Sequence, residues 1–172
     1  MKQTVYYDSP LGRIGLSATD EGLTALWFCN GQEEFAGQGP HDCPPCPVLS
    51  SALRWLATYF SGRDPGFLPP LAPSGTPFRR QVWRLLLQVP FGQTTTYGAL
   101  AREVASLMGK SRMSAQAIGQ AVGSNPLAII IPCHRVIGSD GSLTGYAWGL
   151  DKKAFLLEME GIHPSLGSSR PK

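Results

Sequence analysis

The chain has 172 residues, of which 42% are hydrophobic and 16% charged, an ordinary composition for a globular protein. This composition excludes the fibrous and intrinsically disordered classes. No stretch approaches the ~20 apolar residues of a membrane span, and the N-terminus lacks an apolar core of signal-peptide length. The sequence therefore predicts a cytoplasmic protein with no membrane partner, whose 4 cysteines are reduced thiols rather than disulfides.

The net charge of +3 hides an asymmetry between two parts of the chain. Residues 1–75 carry 4 basic and 7 acidic side chains, whereas residues 76–172 carry 11 basic and 5 acidic ones. A polyanionic partner would explain the basic part, but a merely solvated surface explains the charge nearly as well.

The first 75 residues are predicted to form a small α+β domain. Residues 4–7, 13–19 and 23–29 alternate as strands and are separated by turn signals, which is typical of an antiparallel meander. A helix is predicted over residues 50–60, with Leu53, Leu56, Ala57 and Phe60 on its apolar face. The Pro- and Gly-rich tract at 65–75 is predicted to be the interdomain linker.

A possible zinc site lies within this first domain. Cys43 and Cys46 have the spacing of half a structural zinc site, and Cys29 or His41 could add a ligand. A second pair of ligands is missing as a motif, so we predict no bound metal and expect the three cysteines to be dispensable.

Residues 76–172 are predicted to form a helical domain that contains a helix-turn-helix. Thr76 is a good N-cap and is followed by Pro77, so an amphipathic helix begins there. A second helix begins after Thr96 and runs to about residue 108. A third begins near Ser114 and ends at Gly123, because the Asn-Pro dipeptide that follows cannot continue it.

The third predicted helix carries small residues on one face, at Ser114, Ala117 and Ala121. Such a face permits close approach either to another helix or to a different partner.

A reactive thiol is the strongest chemical candidate in the sequence. Residues 129–131 are three isoleucines and predict a buried strand, and Pro132 ends it, so Cys133 is expected at the strand end. His134 follows directly and is a candidate base for the thiol. On these residues alone, a buried structural cysteine is as good an interpretation as a nucleophile.

The Pro-Cys-His-Arg-Val motif at 132–136 is preceded by Asn-Pro at 125–126 and followed by Gly-Tyr at 145–146 and Glu-Gly at 160–161. This pattern resembles the O6-alkylguanine-DNA alkyltransferases, the methylated-DNA–protein-cysteine methyltransferases, and covers residues 76–161 closely. The resemblance implies a ribonuclease H-like first domain, and a helix-turn-helix domain that enters the minor groove of double-stranded DNA containing O6-alkylguanine. It further implies a monomer that needs no cofactor.

The implied reaction is DNA repair by a single-turnover methyltransferase. The alkyl group on O6 of guanine, with O4 of thymine as a second candidate position, moves irreversibly to Cys133. By the resemblance, His134 acts as base through a water and Glu160 polarises the imidazole. Tyr97 donates to guanine N3, and Asn125 ties the turn carrying the thiol to the end of the third helix.

The resemblance also implies a set of residues that contact the DNA or the flipped base. They are Ser114, Ala115, Gln116, Ala117, Arg135, Val136, Tyr146, Ala147 and Trp148.

Two positions depart from the family pattern. Gln116 stands where many relatives have an arginine that fills the gap left by the flipped base, and Trp148 stands where some have glycine. Two alternative functions are a non-catalytic protein that binds alkylguanine lesions and a helix-turn-helix transcription regulator.

Overall fold

The computed structural model describes residues 2–30 and 45–163, and the chain divides into two compact units. The first unit comprises Met1–Ser74 together with Pro126–Ala128, and the second comprises Gly75–Asn125 and Ile129–Lys172. His41 and Cys43 lie outside the described residues. Within the described part, no helix is long and apolar enough to cross a bilayer.

The first unit is built on an antiparallel sheet of three strands in the order β1 (Gln3–Ser9), β2 (Gly12–Thr19) and β3 (Gly22–Phe28). Two-residue turns join the strands, because Ser9 pairs with Gly12 and Thr19 pairs with Gly22. The Ser9 hydroxyl accepts from the amide of Leu11 and donates to the carbonyl of Gly12, which fixes the first turn. The meander predicted from alternation is therefore confirmed.

Helix α1 (Pro47–Phe60) covers this sheet and begins three residues earlier than predicted. Its buried face differs from the predicted one, because Ala57 is exposed whereas Trp55 and Tyr59 are buried. The buried side chains recur at helical spacing and are Val48, Leu49, Ala52, Trp55, Leu56 and Tyr59.

Part of the tract predicted to be a linker pairs with β3 instead. The amide of Leu23 donates to the carbonyl of Pro70 and the amide of Ala72 donates to the carbonyl of Leu23, each at 2.8 Å. A β-carbon on Gly22 would lie 2.9 Å from the backbone of Pro70 and Leu71, so only glycine permits this close approach. These residues are an ordered edge of the first unit rather than a free spacer.

The second unit contains helices α2 (Pro77–Leu87), α3 (Tyr97–Leu107), α4 (Ala115–Gly123) and α5 (Leu150–Met159). The side chains of Thr76, Thr96 and Ser114 each accept a backbone amide three residues on, which caps α2, α3 and α4. Short strands β4 (Thr95–Thr96) and β5 (Val136–Ile137) pair in parallel. The predicted α+β class and helix-turn-helix are confirmed.

The core of the second unit lies where α2, α3 and α4 pack together. Val82, Leu86, Leu100, Val104 and Ile118 are almost completely buried there. Within this core the indole Nε1 of Trp83 on α2 donates to the carbonyl of Ala121 on α4.

Candidate active site around Cys133

Cys133 lies in a 3-10 turn (Cys133–Arg135), not at the end of a strand. The strand predicted for residues 129–131 is wrong, because those residues form a buried turn in which Ile129 adopts φ 71°. That left-handed conformation is costly for a β-branched residue, so the surrounding packing must maintain it. The three isoleucines are buried, as expected of an apolar run, but their backbone forms a turn rather than an extended strand.

Hydrogen bonds to one carbonyl shape this turn. The Asn125 side-chain amide donates to the carbonyl of Ile131 at 2.8 Å, and the backbone amide of Cys133 donates to the same carbonyl at 2.8 Å. Asn125 lies two residues after Gly123, the last residue of α4, so the helix end and the turn carrying the thiol are held together. Cys133 is only 8% exposed as a result.

A buried hydrogen-bond network joins His134 and Arg135, the two residues after the thiol, to Glu160. His134 Nε2 and Glu160 Oε2 are 2.6 Å apart, with both side chains fully buried. The other carboxylate oxygen, Oε1, accepts from the backbone amide of Gly92 at 2.9 Å and from Arg135 Nε at 2.8 Å. Arg135 also donates to the carbonyl of Val89 at 2.7 Å.

The protonation states of His134 and Glu160 follow from this geometry. Burial would raise the pKa of Glu160, but the hydrogen bond of His134, the charge that His134 carries when protonated, the charge of Arg135 and the amide of Gly92 lower it to about 2. Burial lowers the pKa of His134, and the hydrogen bond to Glu160 only partly opposes this. At neutral pH Glu160 is therefore a carboxylate and His134 a neutral imidazole whose Nε2–H donates to it.

The thiol itself is protonated in this resting state. Burial raises the pKa of Cys133, and the Asn125 side chain, the charge of Lys153 and two backbone amides oppose the rise. A base has to remove the proton before or during attack, because the thiolate is the nucleophile.

Cys133 opens into a cavity of about 250 Å³. The lining consists of Tyr97, Gly119, Val122, Gly123, Asn125, Cys133, Gly145, Tyr146, Ala147 and Trp148. The Tyr97 hydroxyl donates to the carbonyl of Thr144 at 3.2 Å. The Tyr146 hydroxyl is buried without a hydrogen-bond partner among the described residues, and burial raises its pKa well above the usual range. A buried, neutral phenol in a cavity is ready to donate to a ligand.

The first turn of α4 presents Ala115 and Gln116 to solvent, after the exposed N-cap Ser114. Ala117 is half-buried, but Ala121 is 1% exposed and its carbonyl accepts from Trp83 Nε1 at 2.9 Å. The small-residue face predicted for this helix therefore divides: its start is exposed and its end packs against α2.

Arg135 and Val136, two residues predicted to contact the DNA or the flipped base, form contacts within the protein. The Arg135 guanidinium is engaged by Glu160 and Val89 and lies 5.9 Å from the ring centroid of Phe91. Val136 is fully buried, and its carbonyl accepts from Lys153 Nζ. The predicted contacts of Arg135 and of the Val136 backbone with DNA or the flipped base stay predictions.

Comparisons with known proteins identify the family to which the chain belongs. Residues 77–162 match the family model of the 6-O-methylguanine DNA methyltransferase DNA binding domain, and residues 3–73 match its ribonuclease-like domain. The methylated-DNA–protein-cysteine methyltransferase of Methanosarcina barkeri is 46% identical over 160 residues, covering 91% of this chain and 97% of that protein. This chain belongs to the 6-O-methylguanine DNA methyltransferase family.

Other family members are similar in sequence and structure to this chain along most of its length. The Haemophilus influenzae methyltransferase is 38% identical, covering 91% of this chain and 85% of that one. Among solved structures, Mycobacterium tuberculosis OGT in complex with DNA superimposes with a TM-score of 0.75 at 38% identity and covers 91% of both chains.

The family resemblance and the sequence both missed Lys153 as a residue of this site. It lies on α5, is fully buried, and donates from Nζ to the carbonyls of Val136, Thr144 and Gly145 at 2.5, 2.8 and 3.0 Å. Burial lowers its pKa to about 8, and the nearby Cys133 opposes the shift. Lys153 thus holds the loop before Tyr146 and places a positive charge near the thiol. In sequence it is an ordinary helical lysine beside another lysine, and no signal distinguishes it.

The described residues contain no group of three His, Cys, Asp or Glu side chains placed to hold a metal ion. Cys29 and Cys46 are half-buried in the first unit. The predicted absence of zinc stays a prediction, because Cys43 and His41 lie outside the described ranges.

Proposed function

We propose that this protein repairs DNA by transferring a methyl or other alkyl group from O6 of guanine to its own Cys133. Family membership gives the class of reaction. The observation that supports the assignment to this residue is the thiol itself, which opens into a small cavity and is followed in the chain by the buried His134–Glu160 pair. The thioether product is stable, so each molecule reacts once.

The proposed chemistry uses His134 as the base. Glu160 occupies Nε2, so proton transfer from Cys133 has to use Nδ1, and we propose that a water carries it. The sulfur then attacks the alkyl carbon as the bond from that carbon to O6 breaks. The imidazolium that forms is stabilised by the Glu160 carboxylate, in the manner of other His–acid pairs. The thiol proton finally resides on the released guanine.

The departing guanine carries negative charge, and two tyrosines are suited to meet it. Tyr97 would exchange its bond with the Thr144 carbonyl for one to guanine N3. Tyr146 already has a buried hydroxyl without a partner among the described residues, so it can donate without breaking a bond. Donors fixed in advance around a developing charge are an effective way to lower a barrier.

The proposed substrate is double-stranded DNA with the damaged nucleotide flipped out of the stack. Flipping is required because the alkyl carbon is inaccessible in a duplex, and it costs a few kcal/mol. The cavity of about 250 Å³ lies below the ~300–1,000 Å³ of sites for drug-sized ligands, which favours a single base with a short alkyl group.

The exposed start of α4 is the proposed contact with the minor groove, with Gln116 occupying the gap left by the base. Ala147 and Trp148 would form the rim of the pocket. We further propose that the protein acts as a monomer in the cytoplasm and uses no cofactor.

Intact-mass analysis tests the transfer. After incubation with excess duplex DNA containing O6-methylguanine, one methyl group per chain is expected, on Cys133. Cys133→Ala should remove transfer while retaining DNA binding. A non-catalytic lesion-binding protein would leave protein and DNA unchanged, and a transcription regulator would prefer one undamaged sequence. Methyl transfer by Cys133→Ala would overturn the assignment.

A further inference from the structure

Lys153 is a completely buried cation of the second unit, and the reaction proposed above gives it no step. Its side chain is an ammonium at pH 7, since burial lowers its pKa only to about 8. An ammonium has three N–H donors and no acceptor. The fold supplies these donors with three acceptors, the carbonyls of Val136, Thr144 and Gly145. Donors and acceptors are matched one to one, which offsets the cost of burying the charge.

The loop at residues 143–148 depends on these hydrogen bonds. Residues 143–145 form no backbone-to-backbone hydrogen bond with any residue in the described ranges. Their hydrogen bonds in that part of the chain come from two side chains, Lys153 on α5 and Tyr97 on α3. Gly145 has φ 49°, and glycine has little intrinsic preference for this left-handed conformation over others. Side chains from outside the loop therefore keep it in one conformation.

This loop forms one wall of the cavity at Cys133. Gly145, Tyr146, Ala147 and Trp148 all line that cavity. The wall includes the buried Tyr146 hydroxyl, which the proposed reaction uses as a donor to the departing guanine. A loop that changed conformation would present this hydroxyl to the base for only part of the time. The reaction therefore needs the loop to be held in one position.

Tyr97 alone is not suited to hold the wall. Its hydroxyl lies 3.2 Å from the Thr144 carbonyl oxygen, farther than the roughly 2.7–2.8 Å usual for such a bond. The proposed reaction also requires Tyr97 to leave this carbonyl and donate to the base. Lys153 Nζ lies 2.8 Å from the same oxygen, and its bond is charge-assisted and stronger. Lys153 is therefore the donor that remains when the base is bound.

We propose that Lys153 is a positioning residue whose ammonium holds the loop at residues 143–148 against the base and releases this loop when the ammonium loses its proton. The inference rests on the proposed function and deepens it. A neutral amine has two N–H donors, and its lone pair would face the third carbonyl, so the matched set is broken. Lys153 acts through the backbone of the loop rather than on the base itself.

Lys153 is the group at this site whose charge changes near pH 8. The ionisable groups around it are Cys133, His134 and Arg135 on the 3-10 turn, Tyr97 on α3, Tyr146 on the loop, and Asp151, Lys152 and Glu160 on α5. Burial raises the pKa of Cys133 and of both tyrosines above their usual values. Burial also lowers the pKa of His134 below its usual value, and Glu160 has a pKa of about 2. None of these five groups changes its charge as the pH passes 8.

The pH profile of the native protein tests the proposal without any substitution. Two reactions of Cys133 are compared: methyl uptake from free O6-methylguanine base, which needs the wall, and alkylation by iodoacetamide, which does not. The ratio of their rate constants cancels the ionisation of the thiol, which is common to both. This ratio should be constant well below pH 8 and fall as the pH rises through 8, because Lys153 loses its proton there. A ratio that stays constant through pH 8 would overturn the proposal.

Lys153→Met provides a second measurement, because methionine fills the buried site without donating a hydrogen bond. At pH 7 the ratio should fall at least about tenfold, the equivalent of one hydrogen bond to a charged group, and should then be independent of pH. Lys152→Met changes the neighbouring lysine of α5 and should keep the native ratio and its pH dependence. An unchanged ratio in Lys153→Met, or an equal fall in Lys152→Met, would overturn the proposal.

NMR order parameters separate this inference from the proposed function. At pH 7 the amides of residues 144–148 should have order parameters near ~0.85 in the native protein and below ~0.6 in Lys153→Met, with α3 and α5 unchanged. A fall throughout the second unit would show a general loss of structure and would overturn the proposal. If the native protein takes up no methyl group at all, the proposed function fails, whereas the order parameters still decide whether Lys153 holds the loop.

Discussion

Replacing Glu160 by glutamine removes the charge that organises the buried network behind Cys133. The carboxylate makes contacts with His134, Arg135 and the amide of Gly92, and its side chain is fully buried. Its pKa falls from 4.5 to about 2, and each pKa unit corresponds to about 1.36 kcal/mol. Part of this shift comes from protonated His134, so with His134 neutral at pH 7 the ionised carboxylate contributes at most about 3 kcal/mol to the stability of the second unit. Glutamine would also leave Arg135 as a buried, uncompensated cation, which would destabilise the second unit further.

The pH dependence has a definite sign. Because folding lowers the pKa of Glu160, its contribution is complete above the unfolded value near 4.5 and is lost as the pH falls towards 2. The difference in stability between native protein and Glu160→Gln should therefore be present at pH 7 and shrink as the pH falls from 4.5 towards 2.

Urea unfolding followed by NMR signals of α5 measures this difference. Glu158→Gln is the matched control, because Glu158 is exposed on the same helix. A loss of less than about 0.5 kcal/mol for Glu160→Gln, or an equal loss for Glu158→Gln, would refute the account of the network. Transfer should also slow, because His134 loses the anion that stabilises its protonated form.

Three further predictions concern other parts of the chain. Lys153→Met should raise the pKa of Cys133 further, since the lysine charge opposes the effect of burial. The pH profile of thiol alkylation measures the pKa of Cys133. An unchanged profile would exclude an electrostatic role for Lys153. Gln116→Ala should slow repair in duplex DNA much more than reaction with free base, and equal losses would show that Gln116 supports the fold. Gly15→Ala should destabilise the first unit by about 1–3 kcal/mol in thermal unfolding, because its β-carbon would lie 2.4 Å from the Trp27 ring. An unchanged melting temperature would contradict it.

The sequence predicted the helices of the second unit well because their starts depend on local chemistry. A hydroxyl N-cap, a proline at the first position and a following apolar period act within a few residues of one another. Thr76, Thr96 and Ser114 all form the predicted cap. The strands of the first unit were predictable for the same reason, since alternation and turn residues are local signals.

The turn before Cys133 and the position of Lys153 were not predictable in this way. Three isoleucines favour a strand, but Asn125 and the packing around Ile129 impose a reversed backbone that no local preference indicates. Likewise, a lysine in a helix predicts a solvated side chain. Only the folded chain brings three carbonyls to within hydrogen-bond distance of Lys153.

The course of the chain between α4 and Cys133 determines whether the two units can be produced as separate fragments. Residues Pro126–Ala128 belong to the first unit, where the amide of Leu26 donates to the carbonyl of Pro126 and the amide of Ala128 donates to the carbonyl of Leu26. Leu127 is completely buried there. A fragment beginning at Gly75 would contain these three residues but not β3, the strand they pair with. The last of the three lies five positions before the nucleophile. Cutting the chain near residue 75 should thus give two pieces that stay associated through this pairing rather than two independent proteins.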